Sequence, residues 1–70
     1  MDFYFGKYNS SNNTFKKILG PFGSMNKVED STTDDGFIAT VIEGQVKSIH
    51  KKDGGRVNIV DLDSVVTLLS

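Results

Sequence analysis

Apolar positions are unevenly spread along the chain: 15 of the 26 lie between residues 37 and 69, grouped around one turn signal, Asp53-Gly54-Gly55. That half is predicted to seed the core. Residues 36–50 (GFIATVIEGQVKSIH) form a β-branched run long enough for one strongly bent strand, with Gly44 as its kink or bulge. Residues 51–56 (KKDGGR) supply a turn and residues 57–62 return as the partner strand, which makes Val46 and Ile59 core candidates. Two readings fit the last stretch. Leu62, Val65, Val66 and Leu69 have helical spacing, with Asp61 or Asp63 as a cap. Alternatively residues 61–64 form a tight turn into a final strand over residues 65–69, which the paired valines and the threonine favour.

The N-terminal half is less regular. Residues 2–8 alternate Phe3 and Phe5 against Tyr4 and suit a first strand, and the run NSSNN that follows holds five turn-forming residues. Phe15, Ile18, Leu19 and Phe22 sit at helical spacing, but Gly20-Pro21 stops a helix early, so residues 14–20 are either a short strand or a single helical turn. Residues 23–36 (GSMNKVEDSTTDDG) are polar, acidic and bounded by glycines, the profile of a long mobile loop.

The bent strand after residue 44, the Gly-rich hairpin, the strand Val57-Asn58-Ile59-Val60, the break at 61–64 and a closing strand together resemble the C-terminal part of small SH3-like or Sm-like barrels. The resemblance covers about a third of the chain and implies architecture: a mainly β domain, built as a small barrel or sheet. An α+β fold with a short C-terminal helix is the alternative. The chain lacks tryptophan and the acidic, aromatic ligand signature of peptide-binding SH3 domains, and it lacks the short RNA-binding motifs of Sm proteins. No residue role carries across, because fold analogy does not license function.

Seventy residues make one domain, whose single core supplies only about 3–5 kcal/mol, a deficit usually met by disulfides, metal or association. There is no cysteine and only one histidine, so association or a well-packed barrel is what remains. Net charge is −1, which disfavours bulk coating of nucleic acid or anionic membrane. The signs are nevertheless segregated: residues 24–44 sum to −4 and residues 45–60 to +3. No basic leader or long apolar run is visible, and the sequons at Asn9 and Asn12 fall in the Asn/Ser-rich turn, so the expected setting is the cytoplasm.

Candidate chemistry is thin. Asp61 and Asp63 form a carboxylate pair, a type more often solvated or capping than catalytic. The acidic loop fails the calcium-loop template, since counting from Asp30 the sixth position is Asp35 where glycine is required, and the twelfth is Val41 where glutamate is required. His50 has no recognisable nucleophile beside it. No enzyme, metal or cofactor is therefore expected. The favoured role is a protein-interaction module that docks on another protein or on itself through strand edges and the aromatic residues Phe3, Tyr4, Phe5 and Tyr8. The alternative is nucleic-acid or nucleotide binding, with Lys47, His50, Lys51, Lys52 and Arg56 on phosphates and Tyr4 or Tyr8 stacking on bases. Gly54-Gly55 beside those cations suits either a phosphate cradle or a simple hairpin turn. Short length, Asn-rich turns and an acidic loop would also suit a phage or mobile-element accessory protein that blocks a host factor.

Overall fold

A computed structural model describes residues 1–53, 56–60 and 65–69. The chain is mainly β: strands β1 (Asp2–Asn9), β2 (Thr14–Phe22), β3 (Gly36–Ile42), β4 (Gln45–Asp53), β5 (Arg56–Val60) and β6 (Thr67–Leu69), with one helix, α1 (Met25–Ser31). They form a single sheet in the order β5-β4-β3-β1-β2-β6. Every neighbouring pair is antiparallel except β2 and β6, which run parallel. The sheet curls enough to bring β6 near β4, but β5 and β6 do not pair, so no barrel closes.

Apolar side chains stand on both faces of the sheet. On one, Phe5 and Ile38 pack against Val28 of α1, with Phe3, Phe22 and Met25 around them. On the other, Phe15, Ala39, Val41 and Ile49 pack against Val66, flanked by Tyr4, Tyr8, Phe37, Val46, Val60 and Leu68. A strand that is apolar on both faces is a central strand, and β1 and β3 occupy the middle of the order.

Three sequence expectations change, and the choice left open over residues 14–20 is settled. Residues 36–50 are not one bent strand: Glu43 and Gly44 both have positive φ, 53° and 78°, and form a two-residue hairpin turn between β3 and β4. Residues 14–20 belong to a strand, not a helical turn. The helical spacing marks no buried face: Ile18 and Leu19 are exposed, and β2 instead carries two register shifts opposite Phe3, Phe5 and Gly6, each of which inserts an unpaired residue. Phe15 joins one core and Phe22 the other, as their odd separation along a strand requires, the two shifts cancelling. The loop of residues 23–36 contains α1, whose start is capped by Ser24, its Oγ accepting from the Lys27 N–H at 3.3 Å. Finally, Val46 flanks the core but Ile59 does not, being 73% exposed.

The strand reading of the last stretch holds, with Val66 buried and Thr67–Leu69 paired to Thr14–Lys16. Gly54, Gly55, Asp61, Leu62, Asp63 and Ser64 lie outside the described residues.

Candidate functional site

Strand geometry decides what the basic hairpin can do. Side chains on consecutive residues of a strand point to opposite faces, and His50, Lys51 and Lys52 are consecutive. His50 pairs with Ile38 and so stands on the α1 face, while Lys51 pairs with Phe37 on the other. Lys52 turns back to the α1 side, where it is 3% exposed and its Nζ donates to the backbone carbonyl of Asp34 at 3.0 Å. Lys47 donates to the Gln45 side chain at 3.2 Å, and Arg56 is exposed opposite Asp53. The five cations are therefore not gathered on one surface. A shallow cleft of about 340 Å³ does bring Lys7, Lys51 and Lys52 together, but Asp35 and Asp53 line it too. Acidic and basic segments that are separate in sequence meet in space.

The aromatic candidates are also divided between faces. Phe3 and Phe5 lie in the core under α1, with Phe5 only 3% exposed. Tyr4 and Tyr8 flank the opposite core, where Tyr8 meets Phe37 edge to face at 5.7 Å and Lys17 sits 5.1 Å above the Tyr4 ring. Because β1 has strands on both sides, these residues offer a partner neither a free edge nor a shared exposed face.

Two features escaped the sequence reading. Ser48 Oγ lies 3.1 Å from His50 Nε2, a contact that follows from residues i and i+2 leaning over one strand face. A nucleophile activated in the manner of a triad further needs a group orienting the imidazole and donors for an oxyanion. Among the described residues no group of three or more His, Asp or Glu could hold a metal.

The second feature is the outer edge of β5. Only two residues separate Asp53 from Arg56, so this pair must exchange both its hydrogen bonds directly; the other bonding pattern would need a bond between adjacent residues 54 and 55. Alternation gives Lys51↔Asn58 and Ile49↔Val60 the same role. The backbone N–H and C=O of Val57 and Ile59 consequently point away from β4. β5 ends the strand order among the described residues, so no described strand pairs with these groups. Val57 and Ile59 pair with Lys52 and His50, which puts both on the α1 face, two strands out from Ile38 of β3, which packs against Val28 of the helix.

The chain matches no family model, and neither a curated protein nor a solved structure matches it. Among the described residues no helix is long and apolar enough to cross a membrane.

Proposed function

We propose that this chain is a non-catalytic binding module that takes up a partner strand at the open edge of β5. One observation carries the reading: Val57 and Ile59 turn their backbone groups outward, and Ile59 remains 73% exposed beside them. Outward amides supply affinity by strand addition and an exposed apolar side chain supplies a contact to bury. The basic hairpin supports phosphate binding less well, because its cations are split between faces and Lys52 is buried.

The test is capture of partners by the tagged chain, with nuclease present, compared with the Val57→Pro variant. Proline at a position whose N–H faces outward leaves the ladder to β4 intact while blocking the edge. A protein bound in stoichiometric amount, a second copy included, should be lost in the variant while the variant's melting at low protein concentration is retained. Binding only to polyanions, weakening with salt, would overturn the reading in favour of nucleic acid.

A further inference from the structure

Resting on that edge reading, we infer that the strand accepted by β5 is β5 of a second copy of this chain, paired antiparallel about a two-fold axis through Asn58. Such an axis sets Val57 opposite Ile59 of the second copy, and Ile59 opposite its Val57. Both residues direct their N–H and C=O outward, so each of these pairs closes with two hydrogen bonds and no backbone group is left over. Edges are self-complementary only in registers that match outward groups with outward groups, and this one also centres the five-residue strand on itself. Val57 and Ile59 share a face, so the pairing builds one continuous apolar row from the two copies and covers the exposed part of Ile59.

Charge selects the direction. Arg56 is the single charged residue in β5. Parallel in-register pairing would set the two arginines side by side. Antiparallel pairing sets each opposite Val60 of the other copy, leaving them four residues apart along the ladder, about 13 Å. That is beyond the screening length of about 8 Å at physiological salt.

The opposite edge of the sheet is less suited to this. β6 covers β2 only from Thr14 to Lys16, and the rest of β2 carries Gly20 at φ 129° followed by Pro21, which has no N–H to donate. β5 contains no proline, glycine or register shift. A domain of 70 residues with a small core also gains disproportionately from surface buried between copies.

The absence of native cysteine makes the test direct. Asn58 is exposed, and the proposed axis makes it a non-hydrogen-bonded pair with itself, with Cα atoms about 4.5 Å apart. That spacing is within disulfide range. Asn58→Cys should therefore oxidise to a covalent dimer at least tenfold more completely than Arg56→Cys, whose two thiols would be far apart. Sedimentation equilibrium of the native chain should show a monomer–dimer equilibrium that Val57→Pro abolishes. If Asn58→Cys fails to fold, the sedimentation comparison decides alone. Equal cross-linking of both cysteine variants, or a native chain monomeric at millimolar concentration, overturns the inference. A monomeric chain that still loses another protein partner on Val57→Pro would end self-pairing and keep the edge reading. A partner indifferent to Val57→Pro would end both.

Discussion

Lys52 Nζ donates to the backbone carbonyl of Asp34 across 3.0 Å, joining residues 18 positions apart and fastening the segment after α1 to β4. A lysine in a basic run reads as a phosphate ligand, but at 3% exposure this one serves the fold. Lys52→Met keeps the aliphatic stem and removes the donor, leaving a carbonyl without its charged partner. The expected loss is about 1–3 kcal/mol in urea unfolding, against less than about 0.5 kcal/mol for Lys51→Met on the neighbouring, exposed position. Equal effects would deny Lys52 its structural role.

Val28 is fully buried although it lies in a seven-residue helix with exposed neighbours on both sides. Val28→Ala should cost about 2 kcal/mol because Phe5 and Ile38 lose the side chain that covers them. Ile59→Ala should stay within about 0.5 kcal/mol for the dilute monomer. Thermal melts at low protein concentration check both.

Glu43 holds a left-handed conformation, φ 53°, at the first position of a turn that favours asparagine. Glu43→Asn should stabilise the β3–β4 hairpin by about 0.5 kcal/mol and raise Tm by roughly 2–4 °C. An unchanged or lower Tm would count against the turn as described.

Gly6 has no room for a side chain: a Cβ there would collide with the backbone carbonyl of Lys16, on the neighbouring strand. Backbone cannot give way as a flexible side chain can. Gly6→Ala should accordingly be among the most damaging single changes in the chain, beyond about 3 kcal/mol, and circular dichroism should show loss of the folded sheet.

The β character was legible because valine, isoleucine and the aromatics dominate the apolar set, and Val66 and the final strand were readable from the same preference. Four things were hidden, each for a physical reason. In β2 the apolar residues Ile18 and Leu19 lie exposed next to two bulges, so a period of apolar residues there does not report a buried face. Glutamate before Gly44 conceals a turn whose usual marker is asparagine or aspartate. In α1 the apolar signal is one buried valine and a partly buried methionine, too short a pattern for periodicity to register. Three of the eight buried apolar residues described, Phe5, Phe15 and Val28, lie outside the apolar C-terminal half. The dispersal of the basic residues, by contrast, was already implicit in sequence, since His50, Lys51 and Lys52 are consecutive in a strand. What no local pattern revealed was the strand order that leaves β5 outermost.

The pairing of Thr14 with Thr67 has a consequence in time. These residues are 53 positions apart, and their parallel register forms only after nearly all of the chain between them exists. While the polypeptide is being made, the β1–β2 hairpin can assemble early, yet one side of β2 must wait, uncovered, until residue 69 has left the ribosome. Long-range closure of this kind slows folding. The interval before β6 docks is therefore when the nascent chain is most open to mispairing with its neighbours.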